Sequence, residues 1–241
     1  MVKQFLGCAL FWVSLSAQEC ESGDIEDSAQ GHAEFSYIDS KGNADVSSLA
    51  FEGKVELLRD LNIYRLNASA FQARTDGVES KNKWMAEFNY DYQFDPYISL
   101  NYLVGYKVDR FSGFEYQGYT GPGLGLEFVD SDTHKLDFQG NILYSQDKPD
   151  AFVLEDYVSL KLGGIYEWKI EDNLKFSQEA NYRMNLEKTQ NYFIYSKSAV
   201  TVKINATVSM GVSYKIDYVN TPPPPSQRTD KTFLTSLIFD Y

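Results

Sequence analysis

The chain of 241 residues carries 22 basic and 34 acidic side chains, a formal net charge of −12, which disfavours nucleic acid as a partner. Hydrophobic residues at 43% and charged residues at 23% exclude overall disorder and suffice for one domain with a sizeable interior. The aromatic share of 15%, with 18 Tyr and 16 Phe, exceeds what core packing needs and suits strands and membrane interfaces.

The N-terminus MVKQFLGCALFWVSLSA has one cation, Lys3, then an apolar run from Phe5 to Val13, then small residues ending at Ala17. This is the pattern of a secretory signal peptide over residues 1–17, too short to span a bilayer as a helix, with cleavage after Ser16 or Ala17. Its removal takes away Lys3 and no acid, leaving 21 bases, 34 acids and a net charge of −13. One cysteine then remains, Cys20, so no intramolecular disulfide can form, and Ala17, Gln18 and Glu19 lack the small residue that lipid attachment at Cys20 requires. Residues 18–31 read as an acidic periplasmic tail, and 32–241 as the folded domain.

No later stretch approaches the ~20 apolar residues of a membrane helix. From Ala33 onward the dominant period is two. In VSMGVSYKIDYV, Val208, Met210, Val212, Tyr214, Ile216 and Tyr218 alternate with Ser209, Gly211, Ser213, Lys215 and Asp217, a pattern a helix would scatter around its circumference. WMAEFNYDYQF, YISLNYLVGYKV and LKFSQEANYRMNL repeat it, and GYTGPGLGLEF does so more weakly. About twelve strands are predicted, at 32–40, 46–58, 62–75, 83–94, 97–109, 116–129, 134–146, 156–170, 173–187, 193–204, 207–219 and 231–241. The odd-to-even connections SKGNAD, DGVESKN, RFSGFEY, QDKPDAFVLED, EKTQNYF and NTPPPPSQRTD are long or polar. The even-to-odd ones, such as RDLN, DSDT and EDN, are short.

Short turns at one end and longer loops at the other are the signature of an outer-membrane barrel, with the turns periplasmic and the loops extracellular. A soluble lipocalin-like barrel also alternates, with its apolar face inward. The aromatics Trp84, Phe94, Trp168, Phe176, Phe239 and Tyr241 near strand ends favour lipid, as girdles at the headgroups. The expected fold is therefore all-β: a single antiparallel up-and-down transmembrane β-barrel in a Gram-negative outer membrane. Its polar face offers Glu52, Lys54, Glu56, Asp91, Lys107, Asp137, Lys161, Glu179, Arg183, Lys215 and Asp217 as lumen residues. The final strand puts Phe233, Leu237, Phe239 and Tyr241 on the lipid face, an aromatic ending of the kind read by the outer-membrane assembly machinery.

The stretches YIDSKGNADVSSLAFEGKVEL, DRFSGFEYQGYTGPGLGLEFVDSDTHKLDFQ, SAVTVKINATVSMGVSYKIDY and TPPPPSQRTDKTFLTSLIFDY resemble a domain-of-unknown-function family of salt-induced outer-membrane β-barrel proteins. The similarity runs over about residues 33–241 and is most specific at the SKGN turn, the DRFSG loop and the proline run. The resemblance implies a monomeric barrel and brings no catalytic residues; a role in salt stress comes only with the family's description.

Outer-membrane hydrolases need a Ser-His-acid set near the outer leaflet, whereas His32 and His134 both fall at predicted periplasmic ends, so no enzyme is expected. Asp130, Asp132 and His134 in DSDTH read as a tight turn ahead of a metal site, and no metal or cofactor is expected. Pro222, Pro223, Pro224 and Pro225 predict a stiff extended loop, either a lid or partner arm or a rigid connector. Arg110, Phe111 and Phe114 form an aromatic external loop able to sit in lipopolysaccharide, with Arg110 meeting phosphate, or to fold against the rim. Twelve strands lie between filled small barrels and open porins, so the sequence allows either a closed ion-paired bore or a narrow polar path. With acids in excess, an open path would prefer cations. The expected function is thus a structural or narrow cation-preferring passive channel tied to salt or osmotic stress. The alternative is a closed barrel whose extracellular loops bind lipopolysaccharide, another surface ligand or a partner protein.

Overall fold

The computed structural model describes residues 27–41, 45–150 and 153–241. The expected signal peptide and residues 18–26 of the acidic tail lie outside the described residues. Twelve strands follow one another: β1 (Ser28–Ser40), β2 (Val46–Arg59), β3 (Asn62–Thr75), β4 (Val78–Asp95), β5 (Ile98–Asp109), β6 (Phe114–Asp130), β7 (His134–Pro149), β8 (Glu155–Glu171), β9 (Leu174–Asn185), β10 (Tyr192–Lys203), β11 (Val208–Val219) and β12 (Thr229–Asp240). Each pairs antiparallel with its sequence neighbours, and β1 meets β12 to close the barrel. Closure gives every strand but part of that seam two hydrogen-bonding neighbours, the condition for crossing lipid without exposed backbone.

Side chains alternate as the period-two pattern requires. In β4, Trp84, Phe88, Tyr92 and Phe94 are exposed outward while Asn89 and Asp91 are buried inward; in β12, Phe233, Leu237 and Phe239 are exposed and Leu234, Ser236 and Ile238 buried. An apolar exterior around a polar interior inverts the arrangement of a soluble barrel and identifies a transmembrane one. Aromatic rows edge the apolar belt. Trp84, Tyr106 and Tyr116 stack successively at 5.5 Å towards the long-loop end, as do Tyr182, Tyr192 and Tyr218 at 5.6 and 5.9 Å. Towards the short-turn end Phe128 packs on Phe138, and at mid-strand Phe35 packs on Phe51 and Phe239. One polar patch interrupts the outer face, where Gln178 of β9 donates to Ser196 Oγ at 3.0 Å and accepts from Ser198 Oγ of β10.

Two expectations change. The stretch DGVESKN is not a seven-residue loop: β4 starts at Val78, and only Asp76 and Gly77, both at positive φ (52° and 77°), turn the chain. Two consecutive left-handed residues match the right-handed twist of the flanking strands, so the Asp-Gly pair sets a tight hairpin and the polar run beyond it continues as strand. Likewise β1 begins at Ser28, inside the segment assigned to the tail, because residues 28–31 pair with 55–58 of β2. The glycine-rich segment around Gly121 runs as one continuous strand, leaving the count at twelve.

Candidate functional site

The inward faces carry a stack of ion pairs. Towards the short turns, Arg65 of β3 donates from Nε to Glu56 at 2.9 Å and from NH1 to Asp91 at 2.6 Å, and Lys54 lies 3.2 Å from Glu56. At mid-height Lys197 of β10 reaches Glu34 of β1 at 3.0 Å and Glu52 of β2 at 2.6 Å, and Lys215 of β11 closes on the other oxygen of Glu52. Lys161 of β8 binds Glu87 of β4 at 2.7 Å, and the Tyr119 hydroxyl donates to the same carboxylate at 2.7 Å. Nearer the loops, Lys83 of β4 meets Asp217 of β11 at 2.6 Å with Lys107 3.7 Å away, and Lys81 meets Asp230 of β12 at 2.9 Å.

In the closed strand order, three strands separate β10 from β2, β8 from β4 and β12 from β4, and four separate β11 from β4. These pairs are therefore chords across the bore and divide the lumen. Neutral hydrogen bonds along one side of the wall add to them: Gln139 donates to Asn89 at 3.1 Å, and Asn141 to Asn101. Arg183 anchors one wall, 3.3 Å from Asp147, with its guanidinium over the rings of Tyr119 (5.1 Å) and Phe193 (4.5 Å), while the Tyr157 hydroxyl donates to Asp147 at 2.6 Å. The carboxylates of Asp137 and Glu179 make no ion pair among the described residues; Glu179 accepts from Asn181 at 2.7 Å. Asp137 faces Glu127 across the β6–β7 ladder, two neighbouring carboxylates on the inner wall.

All eleven lumen candidates occupy inward positions: Glu52, Lys54, Glu56, Asp91, Lys107, Lys161, Arg183, Lys215 and Asp217 within ion pairs, and Asp137 and Glu179 outside them. Sequence reasoning passed over Glu34, Arg65, Lys83, Glu87, Asp147 and Lys197. Glu87 stood on the polar face of WMAEFNYDYQF, four residues before Asp91, so the alternation itself could have found it.

The outer mouth is spanned by the β11–β12 loop. Asn220 Nδ2 and Thr221 Oγ1 donate to the Gln190 carbonyl of the β9–β10 loop at 2.8 and 3.2 Å, and Ser226 N donates to the Pro223 carbonyl at 2.9 Å. The Pro222–Pro225 run then reaches the β5–β6 loop on the opposite wall. There Gly113, at φ 83°, lies so close that a β-carbon would sit 2.8 Å from Ser226 Oγ and 3.1 Å from Pro223 Cβ. The expected extended run instead turns at Pro224 and Pro225, where the Ser226–Pro223 bond closes it, and glycine at 113 admits the strap.

The aromatic loop departs from expectation at Phe114. Phe114 is the first residue of β6, buried and edge-on to Phe193 at 6.0 Å, because the bulge at the end of the β5–β6 ladder turns it inward. The Arg110 guanidinium is engaged by Glu79 at 3.2 Å; Phe111 remains exposed in the loop. His32 Nδ1 contacts Asp240 at 2.7 Å, and His134 Nδ1 contacts the Tyr166 hydroxyl at 2.8 Å between the rings of Tyr166 and Trp168. Ser131 and His134 bond through hydroxyl and backbone at 3.0 Å, which is turn chemistry. The described residues contain no cluster of three or more metal-ligating side chains. At the C-terminus, Phe233, Leu237, Phe239 and Tyr241 are exposed on the outer face, and Tyr241 exchanges two backbone hydrogen bonds of 2.8 Å with Gly31.

A family model described as "Protein of unknown function, DUF481" matches residues 33–241. The uncharacterized protein YdiY of Escherichia coli (strain K12) is 23% identical over 209 residues, covering 86% of this chain and 81% of YdiY. Among solved structures, the NanC porin matches with 10% identity over 88% of this chain and 98% of its own, at a TM-score of 0.47. The KdgM porin in complex with disordered oligogalacturonate matches with 10% identity over 89% and 98%, at a TM-score of 0.45.

Proposed function

Because the chain belongs to the DUF481 family, which brings no activity to inherit, we propose from the barrel itself that it is an outer-membrane conduit for small cations, narrow and strapped at its outer mouth. The observation that carries this is the charged lumen: chords of paired lysine and carboxylate line the bore with polar contacts, and Asp137 and Glu179, outside any ion pair among the described residues, bias it towards cations. A bore crossed at several heights by direct contacts of 2.6–3.0 Å excludes a sugar or peptide, which leaves small ions as the solutes that can pass among its polar side chains. In this reading residues 1–17 direct export and are removed, the C-terminal aromatics serve insertion by the assembly machinery, the barrel is monomeric and the setting is salt or osmotic stress. Reconstitution of the mature chain in planar bilayers tests the conduit: small steps with a reversal potential favouring K⁺ over Cl⁻ are expected, and anion preference would refute it.

The strap across the mouth favours a second reading, a closed barrel whose outer loops bind a surface ligand such as lipopolysaccharide. Folded protein that stays electrically silent, even with the strap displaced, would select it. Equal growth of deletion and parent strains across salt concentrations would remove the stress role from either reading.

A further inference from the structure

The lipid-facing wall carries a hollow. On the outer side of β2, β3 and β4 the ladders set Phe51, Ala70 and Trp84 at one height, and Leu49, Gln72 and Asn82 one step nearer the loops. Both large side chains turn away from the alanine between them. Phe51 lies over Gly53, where a β-carbon would sit 3.1 Å from its Cζ, and packs on Phe35 at 5.1 Å, while Trp84 leans onto Tyr106 at 5.5 Å. The result is a recess of about 140 Å³ beside Ala70, walled by Leu49, Phe51 and Trp84. An apolar cavity of roughly 150 Å³ takes a benzene-sized group, so this recess takes a segment of an acyl chain.

Its upper rim is polar. Gln72 Nε2 and Asn82 Nδ2 donate to Glu79 Oε1 at 3.0 and 2.8 Å, and Arg110 NH1 donates to Glu79 Oε2 at 3.2 Å. Both oxygens of the carboxylate are therefore engaged. Arg74 stands opposite Glu79 in the β3–β4 ladder, and Arg110 is 64% exposed. Two guanidinium groups around one engaged carboxylate leave N–H donors over for a phosphate. Trp84 belongs to the aromatic row that edges the apolar belt, which puts the recess in the outer leaflet and the arginines at its headgroups. In lipid no hydrophobic force holds apolar surfaces together, so shape and polar contact decide which molecule stays on such a wall.

We propose that this recess seats one lipopolysaccharide molecule, an acyl chain lying over Ala70 between Phe51 and Trp84 and the phosphorylated head meeting Arg74 and Arg110. The two arginines stand two strands apart, about 10 Å of wall, which a phosphorylated sugar head spans better than the single phosphate of a phospholipid. The seat rests on the transmembrane reading and sharpens the lipopolysaccharide reading by moving the ligand from the loops to the wall; it does not depend on ion conduction.

The test refolds the mature chain in detergent, titrates it with a purified rough lipopolysaccharide and counts retained lipid by native mass spectrometry. One molecule per barrel is expected, against little phosphatidylglycerol at the same concentration; equal retention of the two would overturn the seat by showing a non-selective lipid annulus. Ala70→Leu fills the recess with a side chain that lipid accepts and should abolish retention. Arg110→Gln should weaken it about tenfold, the worth of one charge-assisted hydrogen bond. Heat-modifiable migration reports that each variant is folded. Loss in Ala70→Leu alone would overturn the phosphate contact. Retention unchanged in both variants would overturn the seat while leaving loop-bound lipopolysaccharide standing, and no retention by the parent chain would overturn both.

Discussion

Lys197 offers the sharpest perturbation of the lumen. Its ammonium lies 3.0 Å from Glu34 and 2.6 Å from Glu52, and the three side chains are 17%, 8% and 24% exposed. Glu34 and Glu52 face each other across the β1–β2 ladder, so Lys197→Met leaves two facing carboxylates with only Lys215 beside Glu52. Removing one partner of a buried ion pair costs about 3–5 kcal/mol, and the remaining lysine places the expected loss at about 3 kcal/mol. Urea unfolding of the reconstituted barrel, followed by the fluorescence of Trp84 and Trp168, reads this as a lower midpoint at unchanged slope. Lys197→Met/Glu34→Gln removes one of the uncompensated charges and should recover most of the loss, since replacing both members of a buried pair is far milder than replacing one. A loss below about 0.5 kcal/mol in the single variant, the range of exposed surface pairs, would show that the chord is solvated and loose and would refute the divided lumen.

Gly113→Val should push Pro223 and Ser226 off the β5–β6 loop and raise bilayer conductance several-fold; the left-handed φ adds a local cost of about 1–2 kcal/mol, and unchanged conductance would mean that the strap does not gate. Arg183→Lys keeps the charge beside Asp147 but loses the stack on Tyr119 and Phe193, an expected destabilisation of about 1 kcal/mol by urea titration. Glu179→Gln together with Asp137→Asn should move the reversal potential in a KCl gradient towards zero, and no movement would place the selectivity elsewhere. Tyr241→Ser should lower the amount of heat-modifiable barrel in outer membranes while leaving refolding into detergent intact, and equal loss in both would make Tyr241 a stability residue.

The alternation in segments such as VSMGVSYKIDYV was enough to read the strands, because lipid outside and polar groups inside impose period two at every height. What failed had local causes. Asp76-Gly77 was hidden inside a polar run that looked like loop, and Phe114 turned inward through a bulge that no periodicity marks. Gln178, Ser196 and Ser198 break the pattern on the outer face because they satisfy one another across β9 and β10. The chords were not legible at all. Lys197 and Glu34 stand 163 positions apart and Lys83 and Asp217 134 apart, and pairing at such separations depends on strand count, stagger and side-chain reach.

The seam also says how the chain closes on itself. Every other ladder joins consecutive strands through a short connection, so each hairpin can form from contacts that are near in sequence. The β1–β12 ladder alone joins residues such as His32 and Asp240, 208 positions apart, and carries the loop-closure entropy of nearly the whole chain. Contacts of that range are the slow ones, and here they are few. Curling of an otherwise complete sheet is then the natural last event in folding, fastened at the turn end by Gly31 and Tyr241.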